Sequence, residues 1–336
     1  MNYARSIASQ KPVISADGSS PASWLRAARD LAAMDEAEAA FLAGAALQAL
    51  DGLIRDEPDW AGLWRNRMAL KAAAASSALL GRPEEEAALR DAFCLTRPGS
   101  DPGPAGRNLL AWRKLARHNG MPDKELFNAI AEFFGLKSEQ DFADVSAHVK
   151  GLMQSGRPGP FAAIDAAEYA VQTAGAMEGR GVPISAELMG FWLADLVLAA
   201  RSKWPNPVPL LVIQAQKPFF RAGPNRRRLR IGEEGWRRAS LIGYAQAALE
   251  AYDAAADIAR RAKRLKAIAP KLRAKRAERV IEALLQEDAL LPSACVDAFP
   301  GQGMTDRALR RLFERLVSLE AVRELTGRAA FRLYGL

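Results

Sequence analysis

The chain has 336 residues, 49% hydrophobic and 26% charged, which is long and apolar enough for two or three domains with a hydrophobic core. Two widely separated cysteines, Cys94 and Cys295, exclude a disulfide framework and a cysteine-based zinc site. Met1–Pro12 lacks the apolar core of a signal peptide, and Leu188–Ala200 is too short to span a bilayer, so we expect a cytoplasmic protein with no membrane contact.

The first 20 residues are polar, and we expect them to be disordered. The fold class that follows is predicted to be all-α, because alanine dominates, Val and Ile are sparse, and strand signals are nearly absent before residue 320. Apolar residues at helical spacing predict an N-terminal helical region over residues 21–155. Its apolar stripes are Leu42, Ala45, Ala46, Ala49, Leu50 and Leu53; Trp64, Met68, Ala72, Ala75 and Leu79; Leu89 and Phe93; Leu109, Leu110 and Leu115; and Leu126, Phe127, Ile130, Phe133 and Phe134.

A second helical bundle is predicted over residues 160–270. Its first two helices are Ile164–Met177 and Ser185–Arg201, and the second is apolar nearly all round, which is typical of a buried helix. A long helix follows from Trp236 and ends before Pro270. Its predicted packing seam alternates steps of three and four, and consists of Ile242, Ala245, Leu249, Tyr252, Ala256 and Ala259.

Residues 275–336 have the pattern of a winged helix-turn-helix with a small β-hairpin. The predicted parts are a first helix around Ala277–Leu285, a second around Ala294–Phe299, a third capped by Thr305 with the apolar stripe Leu309, Leu312, Phe313, Leu316 and Val317, and strands at Val322–Leu325 and Ala329–Tyr334. Glu320 stands where glycine commonly supplies a positive φ after the third helix. Because the third helix of such a module enters the major groove, double-stranded DNA is the expected partner.

Four arginines are the predicted DNA-contacting residues. Arg307, Arg310 and Arg311 lie off the apolar stripe and are expected to face the major groove. Arg328, in the predicted turn of the hairpin, would reach the phosphate backbone or the minor groove. The other interpretation is a winged helix used only for dimerisation or for packing on the bundle.

A basic cluster lies upstream of this module. Between Lys217 and Arg279 there are 18 Lys or Arg residues and 6 Asp or Glu residues. Within it, Arg221–Arg230 is predicted to be a basic loop, and its residues Arg226, Arg227, Arg228 and Arg230 form the expected supporting patch for approach to phosphates. The alternative is that these charges only solvate the outer faces of alanine-rich helices.

The most recognisable stretches of the chain are APKLRAKRAERVIEALLQED at 269–288 and RELTGRAAFRLYGL at 323–336. Through them the chain from about Trp24 to its end resembles domain of unknown function 1403, a bacterial family without a settled activity. A more distant similarity is to Fic proteins, which in their usual form transfer AMP to target hydroxyls and often end in a winged helix. It rests on pattern and order, namely a buried helix through Gly190–Ala199, the segment PVPLL, a long helix from Trp236 and the winged end. This similarity implies a degenerate Fic-like bundle at residues 160–270.

The Fic-like resemblance also implies that catalysis has been lost. Active Fic proteins carry a His, Phe, acidic, Gly, Asn, Arg motif in which the histidine is the general base and the arginine neutralises phosphate. The corresponding stretch, GRGVPISAELMGFWLAD at 179–195, contains no His and no Asn. Leu80, within Ser76–Gly81, stands where the inhibitory helix of that family has a glutamate. We therefore expect a protein that is not an enzyme and has no cofactor and no metal site.

Three classes of function remain open. The first is a DNA-binding protein with a catalytically dead Fic-like body. The second is a protein-interaction scaffold that does not bind DNA, and the third is a divergent nucleotidyl transferase that would bind ATP despite the missing motif. Alanine-rich seams pack equally well within one subunit or between two, so a homodimer is an open alternative.

Overall fold

The computed structural model describes residues 21–27, 30–31, 33–97, 99–136, 143–178, 182–272, 277–298, 305–328 and 330–336. The N-terminal 20 residues, for which disorder is predicted, lie outside this part. The helices are α1 (Ser23–Ala27), α2 (Glu36–Asp56), α3 (Ala61–Leu79), α4 (Glu86–Cys94), α5 (Gly103–Arg117), α6 (Lys124–Phe133), α7 (Ala143–Gln154), α8 (Gly159–Glu178), α9 (Ile184–Ser202), α10 (Leu211–Gln214), α11 (Trp236–Ile268), α12 (Ala277–Gln286), α13 (Pro292–Ala298) and α14 (Asp306–Ser318). The strands are β1 (Arg221–Ala222), β2 (Arg227–Arg228), β3 (Arg323–Glu324) and β4 (Tyr334–Gly335). The protein is predominantly helical, as predicted.

Three helix pairs form the centre of the molecule: α8 with α9, α2 with α11, and α3 with α5. The middle helix α9 is buried on every side from Ala186 to Ala199, which its apolar circumference predicts. Buried side chains from all three predicted regions of the chain join in one hydrophobic cluster. The core is therefore continuous across the boundaries suggested by the sequence.

Buried tryptophans hold these helices together through hydrogen bonds as well as apolar contact. The Trp64 indole N–H of α3 donates to the Ala251 carbonyl of α11 at 2.9 Å, and the Trp192 indole of α9 donates to the Ala111 carbonyl of α5 at 2.9 Å. A buried indole that finds an acceptor avoids the cost of an unsatisfied donor, about 1–3 kcal/mol. These bonds fix the register of helices that are far apart in sequence.

The long helix α11 has the predicted bounds, but the second half of its packing seam differs from the prediction. Tyr252, Ala256 and Ala259 are only half-buried. The buried positions are one residue earlier: Ala248, Ala251, Ala255 and Ile258, followed by Ala262 and Leu265. The reason is that alanine occurs at both the predicted and the observed positions. The apolar pattern alone therefore does not determine which face of α11 packs against α2.

Helix α2 is the one described helix whose length and composition would allow it to cross a membrane. Its inner face is packed into the core, however, through Leu42, Leu50 and Ile54. Asp51 on the same helix accepts a hydrogen bond from the Trp204 indole at 2.8 Å. Helix α2 is therefore a core helix in this fold.

The C-terminal unit consists of α12, α13, α14 and a small sheet. Strand β3 pairs antiparallel with β4, with Arg323 opposite Gly335 and Glu324 opposite Tyr334. On the other edge of β4, Leu290 forms an isolated antiparallel bridge with Tyr334, through N–H···O distances of 2.8 and 2.9 Å. The order across this sheet is thus Leu290, β4, β3, and Leu290 lies in the chain between α12 and α13.

Candidate nucleic-acid interface

Helix α14 is positioned by a cap at its start and an apolar stripe along its inner face. The Thr305 hydroxyl accepts a hydrogen bond from the Ala308 N–H at 3.3 Å, as predicted for an N-cap. Leu309, Leu312, Phe313 and Leu316 are buried. The Phe313 ring stacks on Tyr334 of β4 with ring centroids 4.8 Å apart. This contact fixes the sheet relative to the helix.

The opposite face of α14 is exposed and carries the predicted arginines. Arg307, Arg310 and Arg311 are all exposed to solvent. Arg310 forms an ion pair with Asp306 one turn earlier, at 2.8 Å, and its side chain remains 65% exposed. Among the described residues, Arg307 and Arg311 make no ion pair or side-chain hydrogen bond. Three guanidinium groups therefore lie on one solvent-facing surface.

Glu320 terminates α14 in a left-handed conformation, with φ of 52°. The Ala321 N–H reaches back to the Leu316 carbonyl at 3.0 Å and the Glu320 N–H to Val317 at 2.8 Å, which is the Schellman arrangement usually built around glycine. The Glu320 carboxylate also pairs with Arg264 on α11. This ion pair links the end of α14 to the long helix α11.

The hairpin after α14 is shorter than predicted. Its strands cover two residues each, whereas the pattern suggested strands at Val322–Leu325 and Ala329–Tyr334, of which Ala329 lies outside the described residues. The physical reason is Phe331, whose φ of 55° turns the chain out of the extended conformation. On the other side of the loop, the Glu324 carboxylate accepts hydrogen bonds from the N–H groups of Thr326 at 3.0 Å and Gly327 at 2.9 Å.

A groove of about 400 Å³ lies between α14, the start of α13 and the loop that joins β3 to β4. Its lining includes Pro292, Arg310, Glu314, Phe331, Arg332 and Tyr334. Arginine side chains thus reach the groove from both the helix and the loop, with one carboxylate among them. Phe331 is 68% exposed at this groove, which the sequence analysis did not single out.

Arg328, the predicted wing contact, lies on the loop but is turned toward the body. Its guanidinium pairs with Asp91 of α4 at 2.7 Å while the side chain stays 52% exposed. The arginine therefore anchors the loop to the N-terminal helices. A phosphate would have to compete with Asp91 for it.

The predicted supporting arginines form a hairpin instead of an open basic loop. Strand β1 pairs with β2, with Arg221 opposite Arg228. Arg228 pairs at 2.8 Å with the fully buried Glu187 of α9, and Arg230 pairs with the same carboxylate. Arg227 pairs with Glu233 at 2.8 Å, and the exposed Arg226 occupies the turn with φ of 48°. Three of the four guanidinium groups thus neutralise carboxylates of the bundle.

Two acidic residues after α12 lock the C-terminal unit onto the N-terminal helices. The buried Asp288 accepts from Arg67 of α3 and Arg90 of α4, and Glu287 pairs with Arg113 and Arg117 of α5. Burial alone would raise the pKa of the Asp288 carboxyl, but the two guanidinium charges outweigh it and hold this pKa below its ordinary value. We call these six residues the acidic lock. The sequence signal for it was the Glu–Asp pair itself, which ends the apolar pattern of α12.

Sequence reasoning also missed polar groups inside the body. Asp195 on α9 is fully buried and accepts hydrogen bonds from the N–H groups of Leu210 at 2.7 Å and Leu211 at 3.3 Å. Burial raises the pKa of this carboxyl to about 7, because those donors and the nearby Tyr244 hydroxyl offset only part of the desolvation. Three further side chains are buried near the core: Ser240, Tyr244 and Gln214. Among the described residues, their hydroxyl and amide groups make no hydrogen bond of ordinary geometry. The only indication of this site in the sequence was that Asp195 stands in an otherwise apolar stretch of α9.

The stretches compared with Fic motifs have structural roles where the structure describes them. The Ser76 hydroxyl donates to the Ala72 carbonyl at 2.8 Å and accepts from the Trp112 indole at 2.9 Å, so it joins α3 to α5. Residues 179–181 of the proposed motif region lie outside the described part.

Burial raises the pKa of the Cys94 thiol to about 12 and that of Cys295 to about 11. In the described ranges, no group of three or more His, Cys, Asp or Glu residues could hold a metal ion.

Comparison with known proteins supports one of the two resemblances. A search of curated proteins gives no match. The sequence profile of a family described as a protein of unknown function (DUF1403) matches residues 15–336, which is nearly the whole chain. The chain therefore belongs to the DUF1403 family.

Proposed function

We propose that this protein is a non-catalytic DNA-binding protein whose C-terminal unit is a winged helix, with α14 as the helix that enters the major groove. The helical body, including the degenerate Fic-like bundle proposed at residues 160–270, would serve as a rigid support. The observation that carries the proposal is the exposed face of α14, where Arg307, Arg310 and Arg311 point away from the core.

The connectivity of the unit supports the assignment. Helices α12, α13 and α14 are followed by the hairpin of β3 and β4. Leu290, between α12 and α13, bridges to Tyr334 and so occupies the place of a third strand beside β4. Winged helices combine these parts in this order, and the hairpin lies beside the reading helix. The stacking of Tyr334 on Phe313 provides the corresponding contact here.

The dimensions and chemistry of α14 also suit the major groove. Its 13 residues span about 20 Å at 1.5 Å per residue, and a major groove about 12 Å wide admits an α-helix. Arg307 and Arg311 are one turn apart, so their Cβ atoms lie about 5–6 Å from each other. Guanidinium groups bind the O6 and N7 atoms of guanine in a bidentate manner and also bind phosphates. Each arginine can therefore read a base edge or hold the backbone.

Local charge favours approach to DNA. Residues 305–336 contain seven arginines and four acidic residues. The ion pair between Arg264 and Glu320 places the basic end of α11 next to the end of α14. Arg260 and Lys263, which also belong to this part of α11, are exposed. This field would attract phosphates and would be screened by salt. The hairpin at Arg227–Arg230 is not used in the proposal, because its arginines already neutralise Glu187 and Glu233.

Selection of bound fragments from a random pool of duplex DNA, with the full-length protein as bait, tests the proposal. Wild type should enrich a motif, and the variant with Arg307→Ala, Arg310→Ala and Arg311→Ala should not. A matched control with Arg55→Ala on α2, Arg107→Ala on α5 and Arg157→Ala between α7 and α8 removes the same charge from positions outside the C-terminal unit, and it should enrich the wild-type motif. Absence of enrichment by wild type, together with no retention of duplex at low salt, would reject DNA binding and favour the scaffold alternative.

A further inference from the structure

Phe331 is unusual among the large apolar side chains of the C-terminal unit. Leu309, Phe313, Leu333 and Tyr334 are buried, whereas Phe331 is 68% exposed in the loop between β3 and β4. An exposed phenyl ring gains no stabilisation from the core, and it is free to contact a partner.

The backbone at the same residue is held in an unfavourable conformation. A φ of 55° places Phe331 in the left-handed region, which is unfavourable for a non-glycine residue. Gly327 supplies a positive φ in the same loop without that cost. Strained residues that survive in a fold cluster at sites of function. The strain here orients an aromatic ring toward solvent and the groove beside α14.

The surroundings of Phe331 are mainly cationic. Arg332 is the next residue, and Arg310 of α14 reaches the same groove, which also contains the Glu314 carboxylate. Arg328, on the other side of the loop, is half exposed beside Asp91. The stacking of Tyr334 on Phe313 fixes the base of this loop relative to α14. An exposed apolar ring thus lines the same groove as two arginines, next to α14.

We propose that Phe331 is a wedge that inserts between base pairs in the minor groove of double-stranded DNA, beside the major-groove site of α14. This inference rests on the proposed function. Apolar side chains inserted in this way unstack a base step and kink the duplex, and the free-energy cost of unstacking is offset by the additional contacts that the bent DNA makes. Pyrimidine–purine steps unstack most easily, so the wedge would favour TpA or CpA steps. The flanking arginines would bind the phosphates on either side.

The test uses the full-length protein and a 30-base-pair duplex that carries three TpA steps, one per helical turn, with 2-aminopurine as the adenine analogue. Fluorescence of 2-aminopurine rises when the base loses its stacking partners. Wild type should raise the fluorescence on binding. Phe331→Ala should abolish the rise and weaken binding by about 10-fold, and Phe331→Leu, which keeps an apolar wedge, should retain part of the rise.

Phe41 on α2 provides a matched control, because it is 69% exposed and lies outside the C-terminal unit. Phe41→Ala should bind and unstack the duplex like wild type. If wild type binds the duplex but Phe331→Ala gives the same fluorescence rise, the wedge is wrong and the proposed DNA binding stands. If wild type fails to bind any duplex at low salt, the proposed function is wrong and the wedge is rejected with it.

Discussion

The buried Asp195 gives a prediction with a defined sign and size. Its pKa is about 7 in the folded protein, compared with the ordinary 3.8 that applies when the chain is unfolded. Between these values the folded state binds one proton more than the unfolded state, so the free energy of unfolding falls as pH rises. A difference of about 3 pKa units corresponds to about 4 kcal/mol lost between pH 4 and pH 7.

Asp195→Asn removes this titration while it keeps the shape of the neutral acid. The new amide oxygen can accept from the Leu210 N–H. The new NH₂ can donate to the Tyr244 hydroxyl, which makes no hydrogen bond of ordinary geometry among the described residues. We expect the variant to match wild type near pH 4 and to exceed it by up to about 4 kcal/mol at pH 8.

Urea unfolding followed by tryptophan fluorescence at pH 4, 5, 6, 7 and 8 measures the difference between the two proteins. Asp144→Asn, at an exposed position on α7, is the matched control for the same chemical change. At pH 8 its difference from wild type should be much smaller than that of Asp195→Asn. A difference between Asp195→Asn and wild type that does not change with pH would refute the assignment of a neutral buried carboxyl.

Three further predictions concern the lock, the end of α14 and catalysis. Asp288→Asn should cost about 3–5 kcal/mol in urea unfolding because Arg67 and Arg90 lose their buried partner, whereas Asp101→Asn, in an exposed pair with Arg107, should cost less than about 1 kcal/mol. Glu320→Gly should raise the melting temperature, since relief of its left-handed backbone is worth about 1–2 kcal/mol and the exposed ion pair with Arg264 that it removes is worth less than about 1 kcal/mol, whereas Glu314→Gly within α14 should lower it. Calorimetry with ATP and Mg²⁺ should give no heat of binding, and measurable heat would revive the nucleotidyl transferase alternative.

The sequence predicted features that depend on local periodicity. The stripe on α14 and the Thr305 cap were predicted, because each depends on residues within one or two turns. Position 320 was identified as one where glycine commonly supplies a positive φ, and the glutamate there adopts that conformation. The burial of α9 followed in the same way from its apolar circumference. These features place the exposed arginines of α14 without any knowledge of tertiary contacts.

Features that depend on distant partners could not be predicted. Arg228 looked like a free cation because its partner, Glu187, lies 41 residues earlier in an apolar helix. Asp288 and its two arginines are about 200 residues apart in sequence. The first half of the α11 packing face, Ile242, Ala245 and Leu249, is buried as predicted, but the second half was misplaced by one residue since alanine occurs at both sets of positions. In each case the sequence does not show which helix faces contact each other in the folded protein.

Titration of one duplex across a range of salt concentrations tests the central claim most directly. The probe is the fragment most enriched in the selection, and the proteins are wild type, the variant with Arg307→Ala, Arg310→Ala and Arg311→Ala, and the matched control with Arg55→Ala, Arg107→Ala and Arg157→Ala. We expect the α14 variant to lose preference for that fragment over a scrambled duplex, and its salt slope to fall by about 0.9 for each arginine that contacts a phosphate. The control should keep both the preference and the slope. An α14 variant that binds as wild type does would contradict the assignment of α14 as the reading helix.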